Sequence, residues 1–266
     1  MKLHGLCFVN VELTSRCNKK CWICGRRKVE RDYPELTLKY GDMDFEMVKE
    51  IERQLPPNVV VQFHKDGEGL LYPRFGEAVS LFKNQIKCIT TNGKLLVEKA
   101  SEIIDNLDTI SISIVENDDA ALEQDKIIKR FLQIKGEKKP FVNLRYVGEI
   151  NEKRQDRHKE FQLLTVRRVL HSPMGSFHYR KKTTVPEIGI CLDMLNHLVI
   201  NREGKVSICV RFDPKELGVI GNIKHKTIAE IWNSEQRIKW LEYHKRGERK
   251  RVPLCSYCEF WGVPTS

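Results

Sequence analysis

Seven of the nine cysteines fall into two sets whose spacing could do chemistry. Cys17, Cys21 and Cys24 stand as Cys-x3-Cys-x2-Cys on one short segment. An iron–sulfur cubane takes one thiolate for each iron it anchors, so three close ligands leave one iron without a protein thiolate. An open coordination position marks a catalytic metal rather than a closed structural one. The alternative on spacing is a zinc site with its fourth ligand elsewhere, although zinc pairs are usually Cys-x2-Cys or Cys-x4-Cys. Cys191, Cys209, Cys255 and Cys258 make a complete set of four, which suits zinc or a fully ligated cubane equally. Cys7 and Cys88 sit in apolar stretches and read as small buried hydrophobes.

The elements that must position these thiols follow from the hydrophobic patterning. Strand candidates are Leu6–Leu13, Val59–His64, Ile86–Thr91, Thr109–Val115, Phe141–Val147 and Leu164–His171, each apolar and bounded by Asn, Gly, Asp or Lys. Helical periodicity lies between them. Asp44–Leu55 places Phe45, Val48, Ile51 and Leu55 on one face, and Pro56–Pro57 ends it. Phe75–Phe82, Val97–Asn106, Ala120–Ile134 and Glu152–Phe161 read the same way. Six β-then-α units imply a parallel sheet with right-handed crossovers, closed as a barrel or open and doubly wound. In either case the strand ends that carry the Cys17–Cys24 loop face the active site.

The pattern changes after residue 182. Thr183–Gly189 reads as a connector. Leu195–Asn201 and Lys205–Cys209 flank Arg202-Glu203-Gly204 as a β-hairpin with Gly204 left-handed. Thr227–Tyr243 reads as one helix opened by a capping box, Thr227 with Glu230. The expected organisation is therefore residues 1–182 as one α/β domain and 183–266 as a small α+β domain.

Composition bounds the rest. Hydrophobic residues make up 41% and charged residues 31%, an ordinary globular balance. No apolar run reaches membrane-spanning length, and Met1–Asn10 lacks the form of a secretory signal, so a cytoplasmic location and no membrane partner are expected. In that compartment close cysteine spacing points to metal or redox chemistry rather than disulfides. The net charge of +10 suits an anionic partner, but a solvated Lys/Arg surface explains it as well.

Cys17-Asn18-Lys19-Lys20-Cys21-Trp22-Ile23-Cys24 after the first strand resembles the signature of radical S-adenosylmethionine (SAM) enzymes. The resemblance implies a partial (β/α)6 barrel. It also implies a 4Fe-4S cluster on Cys17, Cys21 and Cys24 whose open iron binds SAM, and reductive cleavage to a 5′-deoxyadenosyl radical. His64-Lys65-Asp66-Gly67-Glu68-Gly69 is similar to the family's Gly-Gly-Glu-Pro motif, with Asp66 for the first Gly and Gly69 for the Pro. Gly67, Glu68 and Asp66 are thereby assigned to the SAM amine. Thr90-Thr91-Asn92-Gly93 resembles the Thr-Asn-Gly turn, so Asn92 joins the SAM contacts. Ser113 falls on the ribose-contacting strand, and Val147 and Ile23 fall beside the adenine. Ile23 stands where the family often has an aromatic residue, so ring stacking is lost there.

Leu217–Ile223 and Thr227–Ser234 resemble the C-terminal extension of SPASM and twitch radical SAM enzymes. With no cysteines left after Cys258, the resemblance is to a twitch domain with one auxiliary 4Fe-4S cluster on Cys191, Cys209, Cys255 and Cys258. It implies an oxidoreductase that takes hydrogen from a small hydroxylated substrate and passes an electron to the auxiliary cluster. The excess of basic residues over Lys153–Lys182 suits a phosphorylated or nucleotide-linked substrate or an acidic peptide, although solvated helix faces explain it as well. An electron donor such as flavodoxin or ferredoxin is implied as a partner. If the substrate is an alcohol, its proton must leave as well. His64, Lys65, Glu116, Arg145 and His171 at predicted strand ends are the candidates, Arg145 also as a guanidinium for an anionic substrate or the SAM carboxylate. The alternatives are a peptide-modifying radical SAM enzyme and, more remotely, a zinc-stabilised basic nucleic-acid-binding protein. The latter leaves Cys17–Cys24 unexplained, so nucleic acid is not an expected partner.

Overall fold

The computed structural model describes residues 2–168, 190–256 and 258. In chain order the strands are β1 Phe8–Val11, β2 Val60–Gln62, β3 Ile86–Thr91, β4 Thr109–Val115, β5 Phe141–Val147, β6 Leu164–Arg168, β7 His197–Ile200, β8 Lys205–Ser207 and β9 Val219–Asn222. The helices are α1 Gly25–Asp32, α2 Phe45–Gln54, α3 Phe75–Leu81, α4 Ala100–Ile103, α5 Ala121–Lys135, α6 Glu152–Lys159, α7 Leu192–Asn196, α8 Ile228–Trp232 and α9 Glu235–Lys245. Among the described residues one nine-stranded sheet holds the strands in the order β6-β5-β4-β3-β2-β1-β7-β8-β9. Strands β1 to β6 are parallel and lie side by side in chain order, the arrangement that right-handed β-α-β crossovers produce.

Strand β4 shows how the sequence divides the sheet into two faces. Its alternation buries Ile110, Ile112 and Ile114 and leaves Ser111 and Ser113 half-buried on the other face. The apolar face packs on the helices with Phe63, Phe75, Phe82 and Phe131. Phe63 meets Phe82 edge-on at 5.2 Å between ring centroids. The second face carries Asn10, Gln62, Thr90, Ser113 and Arg145, and residues from β1 through β6 line a single cavity. Six strands whose polar sides converge on one space form a concave surface, which makes this a partial barrel rather than a doubly wound sheet. β6 does not return to β1, whose other edge is taken by β7.

The small C-terminal region continues that sheet. β7 runs parallel to β1, and β8 and β9 add as antiparallel strands. Gly204 adopts φ +86 in the β7–β8 turn, the left-handed conformation the turn needs. The expected boundary at residues 182 and 183 lies outside the described residues.

Three expectations need correction. The single helix over Thr227–Tyr243 is two, α8 and α9. The capping box forms, but Asn233 ends α8, and the Ser234 side chain accepts from the Arg237 amide to start α9. The hairpin's first strand begins at His197, because Leu192–Asn196 folds as a helical turn behind Cys191. Cys7 is exposed and Cys88 half-buried, so neither is a core residue.

Candidate active site and auxiliary cysteine site

The loop after β1 carries Cys17, Cys21 and Cys24 to the mouth of the barrel. All three line a cavity of about 1300 Å³, open on one side, together with Ile23, His64, Asp66, Gly67, Glu68, Asn92, Ser113, Arg145 and Val147. Several contacts hold the loop there. Buried Lys19 pairs at 2.5 Å with Asp118, whose side chain is also largely covered, and fastens the loop to the segment after β4. The Trp22 indole donates to the Glu116 carbonyl at 2.7 Å. The Arg26 guanidinium donates to the Ser15 carbonyl at 2.6 Å.

The segment after β2 packs against the same loop. A Cβ at Gly67 would strike the backbone of Thr14, Ser15 and Arg16, so only glycine permits this approach. The Glu68 amide donates to the Arg16 carbonyl at 2.8 Å. The buried Glu68 carboxylate accepts from the Thr91 hydroxyl at 2.7 Å and the Asn92 amide at 2.7 Å, joining the ends of β2 and β3. Burial pushes its pKa up, against the pull of these donors. Asp66 pairs with Lys65. The Asn92 side chain donates to Asn18 at 2.8 Å and reaches the Cys17 sulfur at 4.0 Å. Gln124, buried on α5, donates to the carbonyls of Asn92 and Ser113 at 2.7 and 3.0 Å. It sets the backbone of two candidate SAM contacts from behind.

The catalytic candidates separate. His64 faces the cavity, and its Nδ1 has no hydrogen-bond partner among the described residues. Burial first, and then the charges of Arg145, Arg168 and Lys65, push its pKa down to about 3, so the imidazole is neutral. Arg145 is buried on β5 and donates to Thr90 at 3.4 Å. Glu116 does not line the cavity; its carboxylate accepts the Glu149 amide at 3.0 Å. His171 lies outside the described residues. The sequence reading missed Lys19, Gln124, Arg168 and Arg211. The signal for Arg168 is a basic residue within the predicted strand Leu164–His171, which becomes meaningful only once the strand is in register.

The second set gathers from three places. Cys191 caps α7, Cys209 follows β8, and Cys255 and Cys258 lie on the turn after α9. All four line a smaller cavity of about 420 Å³ with Asp193, Met194, Arg211 and His244. Cys209 donates to Asp193 at 3.4 Å. Asp193 bonds His197 at 3.2 Å, and His197 bonds Asn10 of β1 at 2.7 Å. The Arg211 guanidinium contacts the Cys258 sulfur. Burial pushes the Cys255 thiol up to about 12 and the Cys21 thiol up to about 11. Thiolates so placed need a cation beside them.

Both sites fit iron–sulfur clusters. The first pairs three thiols with an open, polar space, a Gly67 cradle that any Cβ would fill and an orphaned His64 nitrogen. The second is a small cavity ringed by four thiols, in which the buried His244 has both ring nitrogens unpartnered. Among the described residues, no three His, Cys, Asp or Glu side chains converge on the point one metal ion would occupy.

A half-barrel with its thiols gathered over the strand ends is the architecture of radical SAM enzymes. The chain belongs to the radical SAM superfamily, whose family model matches residues 11–164; residues 191–259 match the SPASM iron–sulfur cluster-binding domain. It is an oxidoreductase whose cofactors are SAM, a 4Fe-4S cluster and an auxiliary iron–sulfur cluster. Among its relatives is the S-adenosyl-L-methionine-dependent 2-deoxy-scyllo-inosamine dehydrogenase of Niallia circulans, 23% identical over 97% of this chain and 94% of that protein. A cofactor-modifying protein for the tungsten-containing aldehyde ferredoxin oxidoreductase of Pyrococcus furiosus is 28% identical over 41% of this chain and 29% of that protein. The crystal structure of BtrN with AdoMet and 2-DOIA superposes with a TM-score of 0.60 at 19% identity, covering 98% of this chain and 97% of that one. That of anSMEcpe with AdoMet gives 0.62 at 13% identity, over 97% and 92%. At these identities the two structures establish the shared fold. Among the described residues, no helix is long and apolar enough to cross a membrane.

Proposed function

We propose that this enzyme dehydrogenates a small hydroxylated molecule, with the auxiliary cluster accepting the second electron. The observation that carries the reading is the shared wall between the two cysteine-lined cavities: Arg211 lines both. A substrate in the first cavity would sit next to the second site. Cys17, Cys21 and Cys24 would hold the SAM-cleaving cluster, and Cys191, Cys209, Cys255 and Cys258 the auxiliary one. When bound, SAM and its cluster supply a radical that removes hydrogen from a substrate carbon.

The chain's own residues position and shield that chemistry. Gly67, Asp66, Asn92, Ser113, Ile23 and Val147 line the cavity, where they would contact SAM. Glu68 holds the ends of β2 and β3 at a fixed separation and turns its carboxylate toward Thr91 and Asn92. Neutral His64 offers Nδ1 as an acceptor for a substrate hydroxyl. The end-to-end likeness to a dehydrogenase of small molecules favours this reading over peptide modification.

The test is iron, acid-labile sulfide and zinc per chain on protein purified without oxygen and reconstituted. About eight irons and eight sulfides are expected for two cubanes. About four irons with one zinc would remove the electron-accepting step, and zinc without iron would sink the reading.

A further inference from the structure

The inner face of α9 carries two polar side chains with opposite surroundings. Arg237, Trp240 and His244 stand at i, i+3 and i+7 on one face of the helix, and all three are buried. The Arg237 guanidinium lies over the Trp232 ring and donates to the carbonyls of Trp232, Met194 and Leu195 at 3.1, 3.2 and 2.9 Å. It thereby clamps α9 to α7, the helix that Cys191 caps. Two turns on, His244 is 1% exposed, and neither ring nitrogen has a hydrogen-bond partner among the described residues.

His244 lines the cavity ringed by the four late cysteines. The other polar side chains of that wall are engaged: Asp193 with Cys209 and His197, and Arg211 with Cys258. Burying an imidazole without a partner costs free energy that a leucine in the same place would not. Filling the core therefore does not account for this histidine, whereas an acceptor inside the cavity does. Protonated or neutral, an imidazole carries at least one N–H. The sulfurs of a cubane, sulfide and thiolate alike, accept hydrogen bonds and donate none.

We propose that His244 donates a hydrogen bond to a sulfur of the auxiliary cluster and so raises its reduction potential. This deepens the dehydrogenase reading and rests on it, since it takes Cys191, Cys209, Cys255 and Cys258 as the cluster's ligands. Hydrogen bonds to the sulfurs are one of the levers by which a protein sets an iron–sulfur potential. The positive end of the N–H dipole favours the more negative, reduced form. Met194, Ile208 and Leu254 make the rest of the wall apolar, which strengthens that pull. His244 acts through the cluster, making the second site a readier acceptor of the substrate's second electron.

The experiment is an anaerobic potentiometric titration of the reconstituted holoenzyme, followed by electron paramagnetic resonance. The signal that persists in Cys21→Ala identifies the auxiliary cluster. His244→Leu should lower its reduced-to-oxidised ratio at a fixed potential by about tenfold, a one-electron shift of about 59 mV to more negative values. His244→Gln keeps an N–H donor and should recover part of that shift. The signal of the other cluster should stay where it is. An unchanged auxiliary potential in His244→Leu at full iron content overturns the proposal. Wild-type enzyme carrying isotope-labelled histidine gives a reading that needs no variant of this residue and decides alone should His244→Leu lose its iron. A weak histidine-nitrogen coupling and an exchangeable-proton coupling are expected on the auxiliary signal. His197 does not supply them, because its ring nitrogens are taken by Asp193 and Asn10. Absence of both couplings overturns the proposal, and so does a strong nitrogen coupling, which would make the histidine an iron ligand. Failure of the underlying reading has a separate sign: one zinc in place of about four of the eight irons.

Discussion

The two cysteine sites are built in opposite ways. The first draws its three thiols from one loop of eight residues, Cys17 to Cys24, and the rest of the fold exists to hold that loop: Lys19 on Asp118, Trp22 on the Glu116 carbonyl, Gly67 against Thr14 to Arg16. The second draws four thiols from a helix cap, a strand end and a terminal turn, which meet only when the sheet and α9 are in place. A contiguous set leaves one side open for a ligand. A set converging from several directions depends on the packing of several elements at once. On the proposed reading the first site binds SAM and the second carries electrons.

That contrast can be broken by substitution. Cys21→Ala should have the largest effect: loss of 5′-deoxyadenosine formation and of about four of the eight irons. Its counterpart Cys255→Ala should also lose about four irons, yet abolish substrate oxidation with 5′-deoxyadenosine formation outlasting it. Equal loss of both activities in the two variants would mean that the sites are not divided in this way. Gly67→Ala comes next. Its Cβ meets backbone that cannot turn aside, so a cost of about 1–3 kcal/mol and a tenfold or larger drop in SAM cleavage are expected, seen in urea melts and turnover.

A third test reaches the network behind the SAM cavity. Asp125 on α5 is buried, which would raise its pKa, but the hydrogen bond from His158 and the charges of Arg154 and Arg157 hold it down to about 2. A carboxyl depressed on folding adds stability above its unfolded pKa and loses it as pH falls through the folded value. Asp125→Asn should therefore cost about 2 kcal/mol at neutral pH, and the gap to wild type should close between about pH 4 and pH 2. Urea unfolding of the metal-free chains across that range checks it. The smallest effect lies in the auxiliary region. Thr227→Ala removes the cap of α8 and should cost about 1 kcal/mol, a shift of a few degrees in melting temperature, with the iron count unchanged.

The same contrast governs what could be read from the sequence. The three-cysteine spacing was legible because its ligands are adjacent. β3, β4 and β5 were placed to the residue because their β-branched runs end at Asn, Glu and Gly, where side chain or backbone breaks the pairing. Helix α1 went unseen: Gly25–Asp32 is almost entirely charged or polar, and Val29 alone gives it an apolar anchor. The α8–α9 break was hidden because apolar periodicity runs through Asn233–Ser234, while a side-chain cap competes locally with the helix. That Arg145 and Arg168 share one face of the sheet could not be read at all, since it depends on the register between two strands whose paired residues lie 21 positions apart.

The pairing of β7 with β1 has a consequence for how this chain can be cut or rebuilt. β1 is an interior strand of the sheet, bonded to β2 on one edge and β7 on the other. A barrel shortened after β6 would bare the Phe8–Val11 edge, an unpaired template of apolar residues open to any other strand. Such a fragment should aggregate, or recover only when residues 190–256 are supplied as a separate chain. The auxiliary region thus serves as a guard strand for the barrel, and the pair cannot drift apart without unzipping the sheet between β1 and β7.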